Sequence, residues 1–217
     1  MAQSSDNSLT MPRLERWIVC NNALVTFPRS PNGFEIEHLL LRVGQRGRSL
    51  AESMKLVIRK AELKDAIAAW NIRNVAILAQ CTGHYPNEQL AAWTAGEITD
   101  AFIQSVARHW YVATLNESVV GTGMLDHANG QVDAVFVRPE RMGTGVGHSI
   151  MAHLESRAIA AGLTLLTLNS TLNAAPFYRK CGFVGEQRGV YESSRGISLA
   201  CIPMAKQLAR AAVAGEQ

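Results

Sequence analysis

The 217-residue sequence lacks features that mark several large classes of protein. It contains four cysteines, and they are Cys20, Cys81, Cys181 and Cys201. None of them forms a C-x-x-C pair, so neither a disulfide framework nor a metal site is predicted. Reduced thiols are typical of the cytoplasm, which is the compartment that we expect. No apolar run reaches the roughly 18 residues that a membrane-spanning helix needs, so no membrane partner is expected.

Concentrated charge is also absent. The sequence has 21 Lys and Arg against 18 Asp and Glu, a net charge of +3 without a long run of like charge. Nucleic-acid-binding domains usually carry a concentrated basic face, so no nucleic acid is expected as a partner. The apolar patch at residues 17–20 is interrupted by Asn21 and Asn22, which leaves no continuous apolar core for a signal peptide.

The most informative stretch is a strand, a glycine turn and a helix predicted within residues 131–160. Positions 132–137 are rich in β-branched residues, Pro139 ends this strand, and apolar residues at helical spacing follow the glycines. The first backbone N–H groups of a helix have no intrahelical acceptor. Together with the helix dipole they favour an anion, above all a phosphate.

Taken alone, the glycines leave other interpretations open. The pattern is G-x-G-x-G, and the next predicted strand ends in Asn169 and Ser170 where a dinucleotide-binding unit would have an acidic residue. There is no G-K-[ST] run, which excludes a P-loop. A tight strand-to-helix connection without a ligand is the remaining alternative.

A second run, NAAPFYRKCGF at residues 173–183, completes a larger pattern. With residues 136–139, the turn at 142–147 and the strand at 163–168, it resembles the GNAT superfamily of acetyl-CoA-dependent N-acetyltransferases. The resemblance spans residues 54–206. It implies an α+β fold (α/β in some schemes) with a mixed, mainly antiparallel central sheet and helices on both faces. Where the family usually has Gln or Arg, this chain has Met142, so pyrophosphate binding there relies on its backbone N–H.

The other segments predict the rest of the domain. Strands are predicted at 55–59, 110–115, 119–125, 163–168, 184–191 and 197–204, helices at 63–80, 88–95, 98–108 and 174–181, and tight hairpin turns at 116–118 and 129–130. The first helix is expected to bury Ile67, Trp70, Ile72, Val75, Ile77 and Leu78. Residues 207–217 read as a frayed tail.

This pattern predicts one domain preceded by a segment of different character. Residues 1–53 show no sustained periodicity and are interpreted as an N-terminal extension, either poorly ordered or upstream of a true start at Met54. Residues 54–217 form the GNAT-like domain.

The resemblance implies acetyl-CoA as the acyl-donor cosubstrate and no metal ion. The expected cofactor contacts are two backbone segments and one side chain, namely Val135, Phe136 and Val137 for the pantetheine arm, Met142, Gly143, Thr144, Gly145, Val146 and Gly147 for the pyrophosphate, and Asn173. Asn173 would cap the short helix, contact CoA, or both. Four cations are either solvated or near the adenosine phosphates, and they are Arg138, Arg141, Arg179 and Lys180.

The catalytic residues implied by the resemblance are Tyr178 and Asp133. The phenol of Tyr178 has an ordinary pKa of about 10, so it carries a proton at neutral pH and suits an acid that protonates the leaving thiolate. The alternative is that Tyr178 only packs. Asp133 has the same parity on its strand as Val135 and Val137, so alternation predicts that it shares their face and draws the amine proton through water. The alternative is a structural or exposed aspartate.

The segment after the first helix is expected to cover the acceptor. His84 and Tyr85 are its predicted substrate-binding residues, and with Glu88 they are also second candidates for the base. His148 is expected to point along CoA or to pack.

The sequence therefore predicts an N-acetyltransferase that moves an acetyl group to a primary amine, with a small molecule as the acceptor and direct attack in a ternary complex. A non-catalytic acyl-CoA-binding module is the alternative from another class. Acetylation of a protein N-terminus or a charged tRNA is a third, and the absence of a basic patch counts against tRNA. A homodimer is compatible with the sequence, although no segment specifies one.

Overall fold

The computed structural model describes residues 55–193 and 196–209. The extension predicted at residues 1–53 lies outside the described residues. The strands are β1 (Leu56–Lys60), β2 (Trp110–Leu115), β3 (Ser118–Asp126), β4 (Gln131–Val137), β5 (Leu165–Ser170), β6 (Gly189–Glu192) and β7 (Ser198–Gln207). The helices are α1 (Ala66–Cys81), α2 (Asn87–Thr94), α3 (Asp100–His109), α4 (Val146–Ala160) and α5 (Ala175–Lys180), with short 3-10 turns at Leu63–Asp65 and Pro139–Arg141.

The strands form one seven-stranded sheet in the order β1-β2-β3-β4-β5-β7-β6. Its neighbours are antiparallel except for β4 and β5, which are parallel. One buried cluster packs α1, α2 and α3 against one face, and a second packs α4 and α5 against the other. The predicted mixed, mainly antiparallel sheet with helices on both faces is confirmed.

The two predicted hairpins connect β2, β3 and β4. Asn116 and Glu117 both have positive φ, 49° and 64°, as a two-residue hairpin turn requires. The second turn is longer and closes with a hydrogen bond from Gly130 N–H to Asp126 O at 2.9 Å. A Cβ at Gly130 would lie 2.3 Å from Leu165 O, so glycine is needed where this turn crosses the start of β5.

The sheet is nearly divided between β4 and β5. Within the described residues these strands share one residue pair, Gln131 with Thr167. On its other side β4 stays paired with β3 as far as Val137, and β5 stays paired with β7 as far as Ser170. The two strands therefore separate beyond Gln131, and the opening lies at the end of the sheet from which α4 begins.

The buried face predicted for α1 is partly wrong. Trp70, Ile72 and Ile77 are buried, but the other three predicted members are exposed, and they are Ile67, Val75 and Leu78. The helix instead turns small residues toward the core, with Ala69 and Ala76 fully buried. Small side chains let a helix approach its neighbours closely, and a pattern of large apolar residues does not reveal such a face.

Two predictions near the C-terminus are also corrected. The strand predicted at 184–191 is ordered as β6 over only its last part and contacts β7 earlier through an isolated bridge between Val184 and Ala205. The ladder is interrupted because Pro203 in β7 has no N–H to donate and Gly185 crosses Pro203 O closely. The frayed tail begins later than predicted, since Gln207 belongs to β7 and Leu208 is buried, with its N–H bonded to Thr164 O at 2.8 Å. Residues 210–217 lie outside the described residues.

Candidate functional site

The glycine turn before α4 presents a row of unused backbone donors. Gly143 and Gly145 have φ of +75° and +88°, which only glycine adopts without strain. Within the described residues the N–H groups of positions 143–148 donate no backbone hydrogen bond, and the first to bond back is Ser149 N–H, to Gly145 O at 3.0 Å. A Cβ at Gly145 would meet no atom within 4 Å, so the turn is not filled by side chains. This arrangement can bind an anion.

Met142 does not offer the free backbone N–H that was expected to bind pyrophosphate. Its backbone N–H donates to Pro139 O at 3.2 Å and closes the 3-10 turn that follows β4. Its side chain is partly buried and contacts both core clusters. The expectation of a free donor at this position is therefore wrong, because the proline turn already uses that N–H. The row of donors begins one residue later.

The edge of β4 forms one wall of the opening. Val135 and Val137 are buried against α4, and Phe136 is buried on the opposite face. Their backbones pair with β3, and in the described structure no strand covers their other edge. Unpaired peptide groups along a strand edge can pair with an extended amide-bearing ligand.

Asp133 lies at a bulge that the alternation rule did not anticipate. Met124 pairs with Ala134 and Leu125 with Val132, so Asp133 is the extra residue on β4. Val132 accordingly packs in the same cluster as Val135, three positions away. The prediction of a shared face from parity is therefore wrong in its reasoning, because the bulge resets the alternation. Asp133 itself is only 2% exposed.

Tyr178 lies in α5, in the cluster that also contains Val135 and Val137. Its side chain is fully buried, and its ring meets Phe177 edge-on at 4.9 Å between centroids and Phe183 at 6.0 Å. These contacts fix the ring, and they are consistent with packing as well as with an acid held in one orientation.

Asn173 is buried at the turn between β5 and α5. Its Oδ1 accepts a hydrogen bond from Cys81 Sγ at 3.6 Å, which joins this turn to the end of α1. The residue at the N-cap position of α5 is Ala174, without a side-chain cap. Of the two roles expected of Asn173, the structure thus gives the cap position to its neighbour.

Tyr85, in the segment predicted to cover the acceptor, connects three parts of the chain. Its hydroxyl donates to Ala200 O at 2.6 Å and accepts from Leu172 N–H at 3.1 Å, and the side chain is 6% exposed. His84 and Glu88 beside it are exposed. Sequence reasoning missed this bridging role, because a tyrosine in a polar loop carries no signal of distant carbonyl partners.

The cations near the turn have varied surroundings. Arg138 donates from Nε to Val119 O at 2.8 Å and lies 3.7 Å from Glu140, whereas Arg179 and Lys180 are exposed. The exposed His148 packs its ring on Phe177 at 4.9 Å, one of the two roles expected of it.

Metal ions and membranes have no evident place in the described part of the chain. No group of three or more His, Cys, Asp or Glu residues there is arranged to hold a metal ion. Its helices include none with the length and apolarity required to cross a bilayer.

Comparison with known proteins identifies the same family that the sequence motifs resemble. A family model described as an acetyltransferase (GNAT) domain matches residues 81–208. No curated protein matches the chain.

Three solved structures illustrate the likeness of fold. A GCN5-related N-acetyltransferase from Rhodopseudomonas palustris, also described as a class-II aminotransferase, is 29% identical with a TM-score of 0.65, and the match covers 71% of this chain and 98% of that one. A putative acetyltransferase, yncA, from Salmonella typhimurium with its cofactor acetyl-CoA is 21% identical with a TM-score of 0.55, over 75% of this chain and 99% of that one. The ribosomal-protein-S18-alanine N-acetyltransferase from Escherichia coli is 21% identical with a TM-score of 0.50, over 75% of this chain and 100% of that one.

Proposed function

This chain belongs to the GNAT family of acetyltransferases and is an acyltransferase, and on that basis we propose that it moves an acetyl group from acetyl-CoA to a primary amine of a small molecule. The observation that carries the proposal is the row of unused N–H groups at positions 143–148, beside the opening between β4 and β5. A diphosphate fits such a row, since its charge meets the positive end of α4.

The neighbouring strand edge suits the remainder of acetyl-CoA. The pantetheine arm carries amides, and the free edge of Val135–Val137 supplies backbone partners at the spacing of a strand. In this proposal the N–H of Phe136 or Val137 polarises the thioester carbonyl laid against this edge. The cosubstrate supplies an activated thioester. The chain's own contribution is to hold, orient and exchange protons.

Two side chains are proposed to handle protons. Tyr178 Oη carries a proton at neutral pH, because a phenol has an ordinary pKa of about 10, and it acts as the acid. The carboxylate of Asp133 accepts a proton from the ammonium of the acceptor through water. Cys181 is not a carrier in this proposal, so the transfer is direct within a ternary complex.

A small acceptor is supported by the way the acceptor side is closed. The segment after α1 is tied to β7 by the bond from Tyr85 to Ala200 and by a bond from Gln89 Nε2 to Ser198 O at 2.6 Å. In this proposal these links hold the two segments together beside the acceptor, an arrangement that suits a small molecule. A protein N-terminus is the second candidate, because one protein of this fold acetylates a ribosomal protein alanine.

Calorimetry with CoA and a thiol-release assay over a panel of amines and peptides test the proposal. We expect CoA binding, turnover on a small amine, and a kcat about a hundredfold lower for Tyr178→Phe and for Asp133→Asn, the range of a lost acid or base. Tyr111→Phe, a buried tyrosine near the far end of α4, is the matched control and should keep its kcat.

Each other result has a definite meaning. CoA binding without turnover on any acceptor would indicate a binding module. Turnover on peptides alone would indicate a protein substrate. Full activity of both variants would show that the roles given to Tyr178 and Asp133 are wrong, and failure to bind CoA would contradict the proposal as a whole.

A further inference from the structure

A cavity lies at the opposite end of α4 from the glycine turn. Its volume is about 500 Å³, and it is lined by Lys60, Arg108, Tyr111, His127, His153 and Arg157. These residues come from the end of β1, the end of α3, the start of β2, the turn after β3 and the second half of α4. Arg157 follows Gly145 by 12 residues, which is about 18 Å along the helix. This basic cavity is therefore separate from the proposed CoA site.

Three cations surround the basic cavity without a carboxylate partner. Within the described residues Lys60, Arg108 and Arg157 form no ion pair. Lys60 Nζ donates to Arg108 O at 2.6 Å and lies 4.9 Å from the centroid of the Tyr111 ring. Burial lowers the pKa of Lys60, and repulsion from Arg157 lowers it further. All three residues are exposed, and the cavity thus brings together positive charges that an anion would neutralise.

Two imidazoles complete the lining. His127 Nε2 lies 3.2 Å from Tyr111 Oη, and the His153 ring meets the Tyr111 ring edge-on at 4.9 Å between centroids. His153 Nε2 is buried and has no hydrogen-bond partner within the described residues. An unpartnered buried nitrogen is costly unless a ligand or water satisfies it.

The charges around the imidazoles are mostly positive. Burial, followed by the charge of Arg157, lowers the pKa of His153. Burial also lowers the pKa of His127, as do Lys60 and Arg157, and Asp126 opposes them. Burial, Lys60 and Arg108 lower the pKa of the nearby His109, and Asp126 opposes them. Asp126 Oδ1 already accepts the N–H of Ala128 at 2.9 Å.

Helix ends explain only part of this arrangement. Arg108 and Arg157 lie in the last turns of α3 and α4, where a cation interacts favourably with the helix dipole. That effect accounts for each arginine by itself. It does not account for a third cation beside them, a buried unpartnered imidazole nitrogen, and a cavity large enough for a small ligand.

We propose that the basic cavity binds a small anion of the phosphate class, either free phosphate or the phosphate group of a small metabolite, held by its three cations and two imidazoles. Phosphate presents several acceptor oxygens, and guanidinium, ammonium and imidazole N–H groups are matched donors. Binding places negative charge beside His127 and His153, so their pKa values rise when the site fills. This inference does not depend on the proposed acetyl transfer.

The test follows the imidazole protons of the full chain by NMR in pH titrations at increasing inorganic phosphate, with CoA present to occupy the glycine turn and sodium chloride matching the ionic strength. We expect the pKa values of His127 and His153 to rise and to saturate at one common phosphate concentration, while the exposed His84 stays unchanged. Methyl phosphate, a minimal monoester, distinguishes the source: binding at least as tight as that of free phosphate favours a metabolite, and weaker binding favours phosphate itself.

Variants decide whether the cations hold the ligand. Arg157→Gln should weaken the apparent phosphate affinity about tenfold, the loss expected for one charge-assisted contact, and Lys60→Gln should do the same. Arg188→Gln makes the same charge change on the exposed segment before β6, at the other edge of the sheet, and should leave the affinity unchanged. The proposal is overturned if phosphate moves neither imidazole, or if Arg157→Gln and Lys60→Gln both bind phosphate like the parent chain.

Discussion

At the scale of single residues, Cys181 shows how burial suppresses a reactive group. It follows Tyr178 by three positions, and burial raises the pKa of its thiol to about 11, while the opposed charges of Lys206 and Glu155 have smaller effects. At pH 8 we expect native Cys181 to react with iodoacetamide about two hundredfold more slowly than an ordinary thiol of pKa about 8.5, because the thiolate is the nucleophile. Peptide mass spectrometry at timed intervals measures this rate.

The raised pKa of Cys181 also predicts how its alkylation rate depends on pH. The rate at Cys181 should keep increasing with pH toward 11, whereas the same cysteine in urea should level off above about 9. Rapid alkylation of the native protein at pH 7 would show an activated thiolate, and it would reopen the question of a covalent acetyl carrier.

Motif residues and their neighbours differ in how far sequence alone could place them. Gly143 and Gly145 were found from the turn pattern, since a positive φ leaves a direct mark on the choice of residue. The sequence did not predict that the N–H of Met142 donates to Pro139 O, nor that Asp133 lies at a bulge. Both depend on backbone geometry set by a neighbouring turn or strand, and any residue type can occupy those positions.

At the scale of elements, two glycines in β3 allow α4 to pack closely against the sheet. A Cβ at Gly123 would lie 2.5 Å from Ile150 Cγ2, next to the backbone of α4, whereas one at Gly121 would lie 2.8 Å from the terminal Cδ1 of the same side chain. We expect Gly123→Ala to reduce the free energy of unfolding by about 1–3 kcal/mol, the range for overpacking, and Gly121→Ala to cost less because Cδ1 can rotate away. Urea denaturation compares them, and an equal or reversed order would show that α4 does not pack as described.

The start of α1 depends on a buried carboxylate. Asp65 accepts from Arg59 at 2.7 and 2.9 Å and from Glu62 N–H at 2.8 Å, which joins the helix to β1. The hydrogen bond from Arg59 holds the pKa of Asp65 below its ordinary value. Asp65→Asn should lower the free energy of unfolding by about 1–2 kcal/mol at pH 7, since a charge-assisted pair is lost.

The sign of the pH effect follows from the lowered pKa. The contribution of Asp65 is fully present above the unfolded pKa of about 3.9 and is lost as pH falls through the lower folded value. The difference between Asp65→Asn and the parent chain should therefore be constant above pH about 5 and shrink below about 4. Glu186→Gln, an exposed carboxylate, should show no such difference, and a gap that widens in acid would contradict this assignment.

Elements marked by strong local signals were predicted closely. The strand at 110–115 was placed with its observed ends, and the helix predicted at 88–95 is displaced by one residue from α2. The prediction was poorer where tertiary contacts decide the outcome. β6 is shortened by a proline in its partner strand, and the core face of α1 includes alanines, such as Ala69 and Ala76, whose burial depends on what packs against them.

At the scale of the whole molecule, the described sheet and helices correspond to nearly the full length of several solved structures. The family match ends at residue 208, and the three solved structures named above match 98–100% of their own length to 71–75% of this chain. We expect a chain that begins at Met54 to unfold within about 4 °C of the full chain, a change of at most about 1 kcal/mol, and to bind CoA equally well. Differential scanning calorimetry and CoA titration measure both quantities. Loss of folding in the shorter chain would show that residues 1–53 belong to the domain.

The sheet type and the flanking helices could be predicted because several motifs of one family follow each other in the expected order, which is a stronger signal than any local pattern. The long-range bonds of the segment after α1 could not be predicted. Tyr85 and Gln89 donate to carbonyl groups more than 100 residues away, and such contacts leave no periodic trace in the sequence.

The single pair between Gln131 and Thr167 has a mechanical consequence. In the described structure this pair alone joins the four strands β1 to β4 to the three strands β5, β7 and β6. An extended ligand bound between β4 and β5 would therefore complete the hydrogen bonding of the sheet. The loaded protein should then be stiffer than the empty one, with slower hydrogen exchange along β4 and β5, and each departure of spent CoA should restore the looser form. The acyl donor would thereby serve as a temporary structural member, as well as a reagent.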